Sequence, residues 1–402
     1  MMKQELVQSA RDRTIGLLMV GGFATGANIR LMDTVLPQVA QGFDVSVGLA
    51  AQIVTAYALG YGVMQVGLGI AGDRFGKIRL VTVLCFASVV ACLMAAAAQT
   101  LGQLTLARFL CGAATSAMIP VSLAWVGDMV PYEDRAVLLA RYASGGIFGM
   151  IAGQIAGGLL TEYWDWRAGL ILVALAYLVA GSGLLASLRR DPMLAARPVQ
   201  AGQRISTPSA IAAMLRRPWS RVVLASVFLE GVTIFASITF VGVEMRARFG
   251  SGYGTIGAML AFFALGGMVY TMNVRRIVPR VSQPLLVLAG ATIAAAGMLA
   301  FAFAPTLWLV PAAIALVGFG AYMHHNTLQT FATQLLPEAR ATGFSMFATL
   351  YFLSQSVGVA VAALFVDSSG AAPIFIVSAL LAIAFGIWFR FVGAKAMPSK
   401  TS

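Results

Sequence analysis

Twelve stretches of about 19 to 28 residues, each nearly free of charge, recur along this 402-residue chain. They fall at about 14–38, 50–70, 80–98, 103–127, 139–160, 167–187, 219–243, 255–273, 285–304, 306–333, 341–364 and 372–391. A hydrocarbon layer about 30 Å thick is crossed by about 20 helical residues, and a helix satisfies its own backbone polar groups there. Composition agrees: 59% of residues are hydrophobic and 10% charged, against about 45–50% and about 25% in a soluble domain. A single large soluble globule is excluded, because so few charges cannot keep its surface wet.

The net charge of +12 suggests nucleic acid until its residues are placed. With a cytoplasmic N-terminus, 22 of the 27 Lys and Arg residues lie in inner segments. Outer connectors hold only Arg167, Arg246 and Arg248. This is the positive-inside pattern, so the charge sets topology and no nucleic-acid partner is expected. Both termini are expected in the cytoplasm, in a multi-pass protein of the plasma (inner) membrane. The polar, mixed-charge first 13 residues carry no signal-peptide pattern. Cys85, Cys92 and Cys111 lie in apolar runs and read as small packing residues, with no disulfide or metal framework.

Residues 188–218 hold four of the 14 prolines and most of the middle arginines, which reads as a cytoplasmic linker. Within it, residues 209–217 read as a short amphipathic surface helix. The expected fold is therefore all-α: 12 transmembrane helices in two pseudo-symmetric six-helix bundles, residues 1–187 and 219–402. An internal echo supports the repeat. Gly112 precedes Pro131 by 19 residues, and Gly318 precedes Pro337 by the same 19, an offset of 206. Arg135-Ala136 and Arg340-Ala341 follow the two prolines. Paired bundles with a site between them are a recurring transporter plan.

Between runs two and three stands Gly69-Ile-Ala-Gly-Asp73-Arg74-Phe-Gly76-Lys77-Ile-Arg79. Glycines let two helices meet in a tight turn, Asp73 suits a helix N-terminus, and the cations sit at headgroup level. A plain positive-inside turn needs neither the Asp nor fixed glycines. The segment resembles the signature loop of the major facilitator superfamily, G-x-x-x-D-R-x-G-K/R. Leu31-Met-Asp33-Thr34-Val-Leu-Pro37 resembles the first-helix motif of that family's drug/proton antiporters. Arg108 with Gly112 resembles the same branch's proton-relay motif, and Gly149 to Gly158 its glycine motif. Gln154 stands where the glycine motif has a proline. The basic turn around Arg275–Arg280 has lost the signature's Asp and Gly pattern. Gly145, Gly149, Gly153 and Gly157 recur every four residues, a smooth stripe for helix packing.

Ionisable side chains and histidines inside the runs are Arg30, Asp33, Arg108, Glu230, His324 and His325. A charge at the bilayer centre costs about 2.5–3.5 kcal/mol on insertion scales, so each is a functional candidate. They fall on runs one, four, seven and ten, the helices that line the central cavity if the resemblance holds. Asp33 and Arg108 lie at similar depth and are expected to pair, with Arg30 on the Asp33 face. This makes Asp33, Arg108 and Glu230 candidates for proton coupling; a static ion-pair cluster is the bland alternative. Ser226, Glu230, Thr233 and Ser237 form a polar stripe at helical spacing. Tyr322, His325, Asn326 and Gln329 share one face, and with Arg30 are the candidate substrate contacts. His324 points elsewhere and reads as packing. Neighbours on a helix diverge by about 100°, so no metal site is expected.

No phosphate loop or nucleophile constellation is legible, so neither ATP drive nor catalysis is expected, and no cofactor. The expected activity is alternating-access secondary transport, with proton-coupled efflux of a small amphipathic drug or metabolite as first reading. The chain is read as a monomer whose partners are the bilayer, protons and a small-molecule substrate. Movement of an anionic carboxylate metabolite, bound by Arg30, Arg108 and His325, is the second reading. A non-transporting receptor or scaffold is the third; it leaves the charged residues without a task.

Overall fold

The structure is a computed structural model that describes residues 2–129, 132–191, 207–336 and 340–396. Twelve of its helices are long and apolar enough to cross a membrane, and no strand occurs among the described residues. Spans one to six are Arg11–Gly42, Val47–Gly69, Lys77–Ala96, Leu101–Met129, Arg141–Tyr163 and Trp166–Arg190. Spans seven to twelve are Pro218–Phe249, Tyr253–Arg280, Gln283–Ala302, Leu307–Ala332, Thr342–Ser369 and Ala372–Phe391. Each expected run is one of these. An even number of crossings puts both chain ends on one face, the termini face; the other is the far face. Of the expected linker, only the helix Thr207–Arg216 and its junction with span seven are described; residues 192–206 lie outside the described residues.

Local chemistry explains the ends and breaks. Span four opens on a capping box, Thr100 with Gln103, and Asp165 caps span six. Gly76 turns span two into span three at φ 95°, a conformation open to glycine and strained for other residues. Span four breaks between Thr115 and Met118. Pro120 lies four residues after Ser116 and has no N–H for the Ser116 carbonyl. Span one carries Pro37, which likewise removes the helical donor to the Asp33 carbonyl. Span seven breaks after Ile238 and resumes at Val241.

The sequence echo has a geometric counterpart. A Cβ on Gly112 would fall 2.0 Å from the Tyr57 carbonyl oxygen, and one on Gly318 1.9 Å from that of Phe263. Phe263 lies 206 residues after Tyr57, as Gly318 does after Gly112. Span four thus meets span two as span ten meets span eight, backbone against backbone at a glycine. Span one packs on span five in the same manner: Cβ atoms on Gly149 and Gly153 would lie 2.1 Å from Phe23 O and 2.5 Å from Ala27 Cα. At Gly157 the obstacle is the Leu31 side chain at 2.7 Å, whereas Gly145 has its nearest neighbour at 3.8 Å.

Two matching contacts join the first six spans to the last six at the far face. Gly48 N donates to Asp367 Oδ1 at 2.9 Å, and Gly254 N donates to Glu162 Oε2 at 2.9 Å. Gly254 lies 206 residues after Gly48. In each case a carboxylate ending the fifth span of one half accepts from the start of the second span of the other. Deeper in, Ser356 Oγ donates to Thr55 O at 3.1 Å, and the Tyr61 and Phe352 rings stack at 3.8 Å. Exposed Tyr163, Trp164 and Trp308 lie at far-face ends of spans, where a bilayer has its polar boundary.

Candidate functional site

Asp33 and Arg30 sit one helical turn apart on span one and are 1% and 5% exposed. Arg30 Nη1 lies 3.1 Å from Asp33 Oδ2. The other carboxylate oxygen accepts from Thr239 Oγ1 at 3.4 Å, where span seven breaks. The Arg30 guanidinium lies 4.5 Å over Phe235 and 5.9 Å from Phe263, so its charge meets aromatic faces as well as the carboxylate. A Cβ on Gly242 would come within 3.3 Å of the Asp33 carbonyl oxygen, the one Pro37 leaves without a helical donor. Span seven thus bonds the Asp33 side chain and lies close against its backbone at a glycine.

Arg108 is not the partner of Asp33. Its Nη1 donates to Asn28 Oδ1 at 2.6 Å and its Nη2 to the Asn28 carbonyl at 3.3 Å, and the guanidinium lies 4.3 Å over Tyr57. Depth alone favoured the pairing with Asp33, but rotation decides it. Residues 28 and 33 are five apart, about 500° of turn, so they face directions about 140° apart. Asn28 in turn donates to Cys92 Sγ at 3.4 Å, and Cys92 Sγ lies 3.8 Å from Cys111 Sγ. All three cysteines are buried free thiols.

A second buried cluster centres on Glu230 of span seven, 1% exposed. His325 Nδ1 lies 2.8 Å from Glu230 Oε1, and His324 Nε2 lies 3.5 Å from the same oxygen. His324, the expected packing residue, has its ring 6.2 Å from Phe385 between centroids, and its 3.5 Å approach to the carboxylate is not a hydrogen bond. Two neighbours 100° apart can reach one oxygen from two sides when the third group stands between them. The polar stripe also differs from its expected form. Ser226, Thr233 and Ser237 donate to carbonyls of their own helix, Val222 O, Leu229 O and Ile234 O, at 2.7, 2.9 and 2.9 Å. Back-bonded hydroxyls of this kind leave Glu230 as the stripe's strong polar group.

Aromatic rings link the two clusters. His325 lies 4.5 Å from the Tyr351 ring, Tyr351 meets Phe235 edge-on at 5.3 Å, and Phe235 lies under Arg30. Tyr322 is half-buried, packs edge-on against Phe263 and fills the space a Cβ on Gly267 would take. Asn326 and Gln329 are half-buried one and two turns further along the same helix. Asn28, Thr239, Phe235 and Tyr351 are site residues that the sequence reading missed. Thr239 had a signal, since it lies 206 residues after Asp33. The aromatics had none, being unmarked within apolar runs.

In the signature loop, Lys77 forms an ion pair with Asp128 of span four. Arg74 is exposed, and a Cβ on Gly69 would meet nothing within 4 Å. The Asp73 side chain lies outside the described residues.

Twelve apolar helices around a small set of paired, buried charges define a multi-pass membrane transporter, not an enzyme. The sequence pattern of the Major Facilitator Superfamily matches residues 18–359, and the chain belongs to that superfamily. Among its relatives is the uncharacterized MFS-type transporter YceJ of Bacillus subtilis, 23% identical over 86% of this chain and 87% of that protein. The putative multidrug resistance protein MdtD of Cronobacter sakazakii is 25% identical over 91% of this chain and 88% of its own length. The puromycin resistance protein pur8 of Streptomyces alboniger is 33% identical over 40% of this chain and 32% of its own. The fold matches a bacterial homolog of the human lysosomal transporter Spinster in an inward-facing, unoccupied conformation. That match has a TM-score of 0.75 at 15% identity, over 97% of this chain and 99% of the other. The nucleoside transporter NupG matches with a TM-score of 0.78 at 13% identity, over 96% of this chain and 100% of the other.

Proposed function

We propose that this transporter is a proton-coupled exporter of a small amphipathic drug or metabolite, working by alternating access. The observation that carries the reading is the pair of buried carboxylates, Asp33 and Glu230, each held against groups that respond to its charge. A proton on Asp33 releases Arg30 and weakens the Thr239 contact between the halves. A proton on Glu230 removes the charge that faces His325. Each event changes how span one, span seven or span ten is held, which is what coupling a proton to a rocking motion requires. Tyr322, His325, Asn326 and Gln329 line the candidate substrate path, with Arg30 at its span-one side. Arg108, bonded to Asn28, acts on this scheme as a fixed buried cation near Asp33.

Efflux is supported by the multidrug and puromycin resistance names among the relatives, which describe those proteins. Anion transport is less well supported, because Arg30 and Arg108 already have partners. Both termini are assigned to the cytoplasm of a plasma (inner) membrane protein on the basic-residue distribution, and the functional unit is taken as one chain. The far face is then external, and its closed contacts correspond to an inward-facing state. The test is purified protein in liposomes with a panel of lipophilic cations and carboxylates, with and without a pH gradient. Proton-driven movement of amphipathic compounds supports the proposal. Gradient-independent anion exchange replaces it with the second reading, and no flux of any compound favours the scaffold.

A further inference from the structure

A groove of about 470 Å³ lies between the linker helix Thr207–Arg216, span seven and span eleven, near the termini face. The linker helix contributes Ile211, Met214 and Leu215, span seven Ala225 and Leu229, and span eleven Leu350. Every side chain in its wall is apolar. Leu215 and Leu229 are 49% and 39% exposed, while Met214 is fully buried and fixes the helix in place. The mouth has a different character. Arg221 lies one turn before Ala225 and two before Leu229, on the groove face of span seven. Arg221 is exposed, whereas Arg216 lies about 100° round the linker helix from Leu215, away from the groove wall. No Asp or Glu occurs from Thr207 to Leu229. One helix face therefore reads cationic at its end and apolar above it, as a bound anionic lipid requires.

We propose that this groove binds one anionic phospholipid, with an acyl chain between spans seven and eleven and its phosphate against Arg221. Charge complementarity selects this occupant over a zwitterionic lipid, and the apolar wall selects a lipid over a soluble anion. The site also has a route to function. Leu229 precedes Glu230 and Leu350 precedes Tyr351, so the chain would wedge span seven, which carries Glu230, against span eleven, whose Tyr351 packs on His325.

The experiment is native mass spectrometry of the purified full-length protein, delipidated in detergent and titrated with phosphatidylglycerol or phosphatidylcholine. One phosphatidylglycerol per chain, held in preference to phosphatidylcholine, is expected. Arg221→Gln should weaken phosphatidylglycerol roughly 5-fold, from about 1 kcal/mol for a cation at a headgroup, and leave phosphatidylcholine unchanged, while Arg216→Gln should change neither. Ala225→Trp, which fills the groove, should weaken both lipids. Equal retention of the two lipids by the unmodified protein overturns the proposal. So does an equal loss of phosphatidylglycerol from Arg275→Gln with Arg276→Gln, which would report general surface charge. A protein dimer abolished by Ala225→Trp would make the occupant a second copy, and also overturns it.

Discussion

Thr239 hydrogen-bonds Asp33 across the two halves, and the two residues are 206 positions apart. The same offset relates Gly48 to Gly254 and Gly112 to Gly318. Residues that correspond under an internal repeat can touch only near the axis relating the two copies. Asp33 therefore sits where a small change in one helix is felt by both halves.

Asp33→Asn keeps an acceptor for Thr239 but leaves Arg30 as an uncompensated buried cation. Breaking a buried pair on one side costs about 3–5 kcal/mol, so lower thermal stability is expected together with loss of gradient-driven flux. The double variant Asp33→Asn with Arg30→Gln restores neutrality. It should regain most of the stability and none of the proton coupling. Thermal unfolding in detergent and flux in liposomes separate the two effects. Full gradient-driven flux in the double variant would remove Asp33 from the mechanism.

Glu230→Gln keeps the shape of the second cluster and removes its charge. His325 keeps an amide to hydrogen-bond but loses the charge assistance, of about 1 kcal/mol. Proton-driven flux should fall while exchange of substrate without a gradient persists. His324→Gln tests whether that residue does more than pack. A ring that only packs against Phe385 predicts a stability loss with an unchanged pH profile of flux. A ring that responds to Glu230 predicts a displaced profile, and displacement is the expected outcome.

Asp367→Asn with Glu162→Gln weakens both far-face contacts in symmetric fashion. Each is a single bond at an exposed carboxylate, of about 1 kcal/mol at most after solvent competition. Together they should shift the balance toward the far-face-open state by up to roughly 30-fold, with little change in overall stability. Distance measurements between spin labels near the far-face ends of spans five and eight report the shift. Unchanged distances would mean that packing alone keeps that face closed. Either single variant should give about half the free-energy effect, because the two contacts involve separate residues.

The depth of a charge was legible in the sequence, and its direction was not. Apolar runs and basic turns placed all twelve spans, because crossing a bilayer leaves few alternatives. Asp33, Glu230 and the paired histidines stood out for the same reason. Who bonds whom depends on rotation about each helix axis and on side-chain reach, so Arg108 went to Asn28 and His325 to Glu230. The aromatic link through Phe235 and Tyr351 was hidden because phenylalanine and tyrosine raise no signal in a chain this apolar. The repeat carries part of this information, since an offset of 206 applied to Asp33 names Thr239.

The glycine stripe of span five offers a graded test within one helix. Spacing alone makes Gly145, Gly149, Gly153 and Gly157 equivalent, but the room around them differs. A Cβ at Gly149 or Gly153 meets span-one backbone within 2.6 Å, which cannot move without separating the helices. At Gly157 it meets the end of the Leu31 side chain, which can rotate, and at Gly145 it meets nothing closer than 3.8 Å. Overpacking of this kind costs about 1–3 kcal/mol, so Gly149→Ala and Gly153→Ala should each lower the unfolding temperature by several degrees. Gly157→Ala should fall between, and Gly145→Ala should leave stability unchanged or raise it slightly through helix propensity. Thermal unfolding of the four variants in one detergent gives the order. An equal loss at all four would mean that spans one and five approach more closely at Gly145 than this state allows.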